Sequence, residues 1–184
     1  RRFRQSLVSI FRFSLPLIAE VEATPGQVDR WLLGELDRLV IRATKAMEAF
    51  QFDETMKAIR GFAWETLADN YIELVKARLY GPDSPEKRAA QSTLYRAIET
   101  VARLMAPFTP FISEEIFTNL TGESVHVQSW PDPGGIEVDP AGLVLKEIAA
   151  AIRRYKAEKG MALNAPLPGI VVSSELGLET FDLS

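Results

Sequence analysis

Apolar residues recur three and four positions apart through most of this chain, the spacing that builds one buried stripe on a helix. A first helix is expected over residues 3–18, with Pro16 bending or ending it. Thr24-Pro25-Gly26-Gln27 offers a cap, a proline for the first helical position and a glutamine three residues on, which predicts a second start. Behind it, Trp31, Leu32, Leu36, Leu39, Val40, Ala43, Met47 and Phe50 share one face of a long helix. Asp53 can cap the next helix, whose inner stripe is Ile59, Phe62, Ala63, Leu67, Tyr71, Leu74 and Val75. Tyr80-Gly81-Pro82 stops it. Ser84-Pro85-Glu86 starts another, with Leu94, Ile98, Val101, Leu104 and Met105 inward and Pro107 at its end. Thr109-Pro110 opens a short helix through Phe111, Ile112, Ile116, Phe117 and Leu120, closed by Gly122.

Past Gly122 the pattern changes. Val125-His126-Val127 alternates as a short strand does, and residues 131–135 form a Pro/Gly loop. Asp139-Pro140 caps a helix over residues 141–159, with Gly160 where a left-handed cap belongs, and Ile170-Val171-Val172 reads as a strand. The expected fold is therefore mainly α: an antiparallel helical bundle over residues 1–122, with a small partial α+β appendage over 123–184. A lone strand pair is rarely stable, so the appendage is expected to be truncated. Arg1 opens the chain in mid-helix and Ser184 closes it as a strand begins, so both ends are expected to be cut from a longer protein. No internal repeat suggests a solenoid.

Composition narrows the chemistry. The 184 residues are 47% hydrophobic and 25% charged, and a chain of this length buries roughly 70% of its unfolded surface without metal or disulfide. Cysteine is absent, which removes disulfides, thiol nucleophiles and thiolate metal sites and agrees with a cytoplasmic location. No apolar run is long enough to span a bilayer. Arg12 interrupts the run over residues 8–18, and Glu20 and Glu22 stand where a signal peptide would need small residues for cleavage. The net charge of −4 speaks against nucleic acid as a whole-chain count. Yet Arg1, Arg2, Arg4 and Arg12 are the only charged residues before Glu20, so that stretch carries +4 and the remainder −8. A local basic face is what a phosphate backbone meets.

Catalytic sets are missing. His126 is the single histidine, without cysteine or a second histidine for a metal site and without a positioned partner for a triad. Gly134-Gly135 lacks the Lys-Ser/Thr of a phosphate loop. Glu114 and Glu115 point about 100° apart on a helix and suit the dipole of its first turn. Glu73 and Lys76 can pair across a turn, while Arg78 is either a solvated ion or a contact to a neighbouring domain. In the first helix Arg1 and Arg12 fall on one face with Arg4 beside it, and Phe11 and Phe13 are interleaved. Arginines on phosphates and aromatic rings under splayed bases hold single-stranded RNA, although a helical phenylalanine is more often core. Arg153, Arg154, Lys156 and Lys159 form a second cluster, which a helix C-terminus favours in any case.

Three motifs carry a family resemblance. Asp29-Arg30-Trp31-Leu32-Leu33 resembles the D-x-W-I-L signature of the anticodon-binding bundle in class I aminoacyl-tRNA synthetases for valine, isoleucine and leucine. Phe62-Ala63-Trp64-Glu65, continuing through Asp69-Asn70-Tyr71 to Ala77-Arg78, is similar to the family's next helix. Leu104-Met105-Ala106-Pro107-Phe108-Thr109-Pro110-Phe111 with Glu114-Glu115-Ile116 resembles its L-x-P-F-x-P-F-x-x-E-E-I segment. Within the family, the run from Tyr155 through Gly160 to Leu167 resembles the valyl members, particularly the archaeal type. The resemblance implies a domain that follows catalytic and editing domains in the same chain and holds the anticodon stem-loop of tRNA(Val). It also implies that an aromatic on the first bundle helix, matched by Phe13, stacks on an anticodon base. Charge and position make Arg4 and Arg12 the candidates beside it, and Arg153, Arg154, Lys156 and Lys159 the candidates for stem or backbone. Where the family commonly has a lysine seven residues before that aromatic, this chain has Ser6. The H-I-G-H and K-M-S-K-S signatures are absent, so ATP belongs to the full-length enzyme and this stretch is expected to need no cofactor and to catalyse nothing. An isoleucyl or leucyl relative, or a helical module with no RNA role, remains the alternative.

Overall fold

The computed structural model describes residue 11 and residues 15–162, 165 and 171. Its helices are α1 (Gln27–Glu48), α2 (Phe52–Gly61), a π-helical stretch (Phe62–Ile72), α3 (Glu73–Tyr80), α4 (Pro85–Met105), α5 (Pro110–Thr121) and α6 (Pro140–Glu158). Short 3-10 turns occupy Leu15–Leu17 and Val125–Val127. The architecture is mainly α, with no strand among the described residues. The helix expected over 3–18 lies largely outside them, as do Ile170 and Val172, while Val171 belongs to no element.

The strand expected at Val125-His126-Val127 is a 3-10 turn. Three alternating residues cannot specify a strand without a neighbour to pair with, and here side chains cap a turn instead. Ser124 Oγ accepts from the His126 N–H, and Glu114 Oε2 accepts from the Val125 N–H at 2.9 Å and the Ser124 hydroxyl at 3.0 Å. Glu114 and Glu115 are thus not first-turn dipole partners, because α5 starts at Pro110 and no acid lies in its first turn.

Most helix ends follow local chemistry. Ser84 accepts from the Lys87 N–H at 3.1 Å with Pro85 at the first position of α4, and Gly122 (φ 79°) and Gly160 (φ 63°) take left-handed caps. Helix α1 begins at Gln27, two residues past Pro25, because Gly26 is its cap and Asp29 reaches back to the Gly26 N–H at 2.9 Å. Helix α2 begins at Phe52, so Asp53 is not its cap but sits in the first turn, paired with Lys57 at 3.2 Å.

The predicted stripes meet in one core. Trp31, Leu32, Leu36 and Val40 of α1 pack with Ile59, Leu67, Tyr71 and Val75, with Leu94, Val101 and Leu104 of α4, and with Ile116 and Phe117 of α5. Full burial of such side chains contributes roughly 1.5–3 kcal/mol each. Two aromatics depart from their stripes. Phe50 is 80% exposed at φ 58°, past the end of α1, and Phe111 is 89% exposed. Helical periodicity was extended to both, but the chain turns before the first and the second lies on the outer side of α5.

Helix α1 is central and packs against α2, the π-helical stretch, α4 and α6. Residues 130–139 run back along it as a strap. The Trp130 indole N–H donates to Thr44 Oγ1 at 2.9 Å, and Asp37 accepts from the Gly134 and Ile136 N–H groups at 2.8 and 2.7 Å. Val138 then crosses Gly34, where an added Cβ would lie 2.6 Å from its Cα, and Asp139 meets Arg30 at 3.2 Å. The strap delivers α6 onto α1 so closely that a Cβ on Gly142 would fall 2.0 Å from Trp31 Cβ.

This packing separates two alanine substitutions. Gly142→Ala is expected to lower the urea-unfolding free energy by about 1–3 kcal/mol through overpacking against Trp31. Gly61→Ala, in helical backbone with nothing within 4 Å of its added Cβ, is expected to raise it by about 0.5–1 kcal/mol.

Candidate functional site

A buried polar knot fixes the start of α1. Asp29 has no exposed surface, yet its carboxylate is fully engaged. Oδ1 accepts from the Tyr71 hydroxyl at 2.8 Å and from Arg78 Nη2 at 2.9 Å, and Oδ2 accepts from Arg78 Nη1 at 3.1 Å and from the Gly26 N–H. The guanidinium fork meets both carboxylate oxygens, the geometry that best compensates a desolvated charge. Burial and then the Asp29 charge hold the Tyr71 phenol well above its ordinary range. Burial is the largest influence on Arg78 and alone would depress it, but the charge and hydrogen bond of Asp29, with the charges of Tyr71 and Glu86, together leave that group raised. Arg78, which sequence alone left as a solvated ion or a contact to another domain, is therefore tied to α1 of the same bundle. Lys76 pairs instead with Glu73, at 3.5 Å on the exposed side.

Of the residues singled out for RNA, Arg4, Arg12 and Phe13 lie outside the described residues. Their neighbour Phe11 is 6% exposed and lies against Leu67, Ile98, Val101 and Ile116, so it belongs to the core. The second cluster is brought together on the last turns of α6 and just beyond it. Arg153 donates to the Asp69 carbonyl and, at 2.5 Å, to Asn70 Oδ1, which binds α6 to the π-helical stretch. Asn70 in turn donates to the Glu65 carbonyl. Arg154 is exposed, Lys156 half-buried, and Lys159 Nζ stands 6.0 Å from the Tyr155 ring centroid, within cation–π range. Sequence reasoning did not find Asp37, whose carboxylate holds the strap. A buried acid beside Leu36 and Val40 was the available signal.

Arg154 and Lys159 thus present exposed cationic groups at the end of α6, with the Tyr155 ring beside Lys159. No helix among the described residues is long and apolar enough to cross a membrane, and those residues hold no group of three or more His, Cys, Asp or Glu placed for a metal ion.

A family model described as the anticodon-binding domain of tRNA ligase matches residues 29–171. The chain is 63% identical to a valine–tRNA ligase of Methanothrix thermoacetophila over 184 residues, covering 99% of this chain and 21% of that protein. It is 53% identical to the valine–tRNA ligase of Methanosarcina barkeri, covering 90% of this chain and 21% of that protein. It is 44% identical to that of Archaeoglobus fulgidus, covering 100% and 22%. The chain thus spans about a fifth of the length of these relatives.

The knot has a signature in base. Tyr71 keeps its proton in the fold above its ordinary value of 10.0, whereas the unfolded chain loses it there. Its contribution is present below about pH 10 and lost as pH rises further. Urea midpoints measured from about pH 8 to 11 should fall more steeply for the wild-type chain than for Tyr71→Phe; parallel profiles would contradict this assignment.

Proposed function

The chain belongs to the anticodon-binding domain family of tRNA ligases, and from that membership we propose that it is the part of a valine–tRNA ligase that holds the anticodon stem-loop of tRNA(Val). The observation that carries this reading is the family match over residues 29–171, supported by relatives that bear the valine–tRNA ligase name. In the longer protein, a catalytic domain outside this stretch would attach valine to the tRNA with ATP, and an editing domain would remove wrong amino acids. The bundle would set the far end of the substrate in place. Translation sets the cytoplasm as the proposed location.

In this reading Phe13 stacks on an anticodon base, and Arg4 and Arg12 neutralise the phosphates around it. Arg154, Lys156 and Lys159 meet the stem or backbone from α6. Arg153 acts with them by holding that helix against Asp69 and Asn70. Stacking suits an anticodon loop because its bases are unpaired and offer their faces. Removing one such stack costs roughly 1–3 kcal/mol of binding.

Equilibrium binding of the 184-residue chain to tRNA(Val), and to the same tRNA with its anticodon exchanged, tests the proposal. Binding is expected to favour the valine anticodon, and Phe13→Ala is expected to weaken it by roughly 1–3 kcal/mol with unfolding unchanged. Equal binding to both tRNAs would remove the anticodon from the reading. A Phe13→Ala chain with lost stability and intact affinity would make Phe13 core.

A further inference from the structure

The corner between α1 and α2 carries a feature that the fold does not need. Helix α1 ends in a Schellman motif: the Gln51 N–H donates to the Ala46 carbonyl at 2.8 Å, and the Phe50 N–H to the Met47 carbonyl at 3.0 Å. The residue between must be left-handed, a position where glycine or asparagine is usual, and here Phe50 holds it at φ 58°. The ring is then 80% exposed. Its aromatic neighbour is Phe52, 48% exposed and edge-to-face with a centroid separation of 6.2 Å. Backbone strain and a solvent-facing aromatic both cost stability, and a glycine at position 50 would avoid both.

Beside this pair lies an open groove of about 450 Å³ lined by Arg38, Ile41, Arg42, Lys45, Gln51 and Glu54, among others. Its charged lining is cationic on balance, Arg38, Arg42 and Lys45 against Glu54, with Arg38 also paired to Glu35 at 3.2 Å. Arg42 reaches Glu54 at 3.6 Å with most of its side chain in solvent, and the exposed Lys45 ammonium makes no hydrogen bond or ion pair among the described residues. Ring faces open to water next to exposed cations are the combination that holds an unpaired nucleotide, with the base on the ring and the phosphate on the cations.

We propose that Phe50, with Phe52 behind it and Arg42 and Lys45 in the adjoining groove, is a second RNA contact, stacking on an unpaired base. The proposal rests on the RNA-binding reading above and extends it to the opposite end of α1 from the Asp29 knot. Charge complementarity in the groove favours RNA over an apolar protein partner as the occupant of this corner.

Polarisation of a labelled tRNA(Val) transcript, titrated with the 184-residue chain, tests it alongside thermal unfolding. Phe50→Gly removes the ring and the left-handed strain together, so its unfolding midpoint should equal or exceed that of the wild type. Its affinity should fall about tenfold, and Phe50→Trp should retain wild-type affinity. If Phe50→Gly binds as tightly as the wild type, the outcome a protein-docking corner would give, the Phe50 contact is overturned and tRNA binding stands. If the wild-type chain does not bind tRNA(Val), both readings fall.

Discussion

Asp29 is a carboxylate with no contact to water, and the bundle is arranged around satisfying it. A buried charge of this kind is tolerated only when paired and hydrogen-bonded, and removing one partner from such a pair costs about 3–5 kcal/mol. Gly26, Tyr71 and Arg78 supply the donors from three places in the chain. The first closes the cap of α1, and the others bring the end of the Phe52–Tyr80 helical run back against it. The antiparallel order of those helices follows, because their joining corner lies at the other end of α1. The Tyr71 oxygen also lies 3.4 Å from the Ala90 carbonyl, which sets the beginning of α4 beside the same knot.

The helix that the knot anchors also sets where α6 stands. The strap over residues 130–139 reads α1 in reverse, from Thr44 through Asp37 and Gly34 to Arg30, the residue next to Asp29. Helix α6 starts there against Trp31 and extends until Arg153 reaches the π-helical stretch. There the guanidinium meets the Asp69 carbonyl and the Asn70 side-chain oxygen. The exposed cations near the end of α6 are therefore carried on an element clamped at both ends rather than on a loose arm.

Much of this was legible because it is local. Three-and-four periodicity located the helices, and Ser84-Pro85, Gly122 and Gly160 marked ends by backbone chemistry that needs no partner. The family motifs were legible too, and the match over residues 29–171 bears out that resemblance. The knot was not legible as a contact, since Asp29 and Arg78 are 49 residues apart and no spacing rule joins them. The π-helical stretch escaped because its apolar positions, Ala63, Leu67 and Tyr71, also fit an ordinary helix. Phe50 escaped because periodicity cannot tell the last inward residue of a helix from the first one past it. Val125-His126-Val127 failed for the opposite reason: three residues alternate by chance, and Glu114 reached the turn from another element. For the site, the α6 cluster was found in sequence, but the docking role of Arg153 depends on Asp69 and Asn70, which sequence does not bring near it.

An acidic chain that binds RNA must do so through local cationic surface. Net charge of −4 repels a polyanion at a distance, so affinity has to come from a few cations close to phosphates and from stacking. Phosphate contacts release counterions and stacking does not, which makes ionic strength the variable that reports on them. The most direct measurement is therefore the affinity of the chain for tRNA(Val) across a salt series. The account predicts a straight fall on logarithmic axes, roughly 100- to 500-fold between about 50 and 200 mM salt if Arg4, Arg12, Arg154, Lys156 and Lys159 each meet a phosphate. An affinity that holds constant over that range would contradict it.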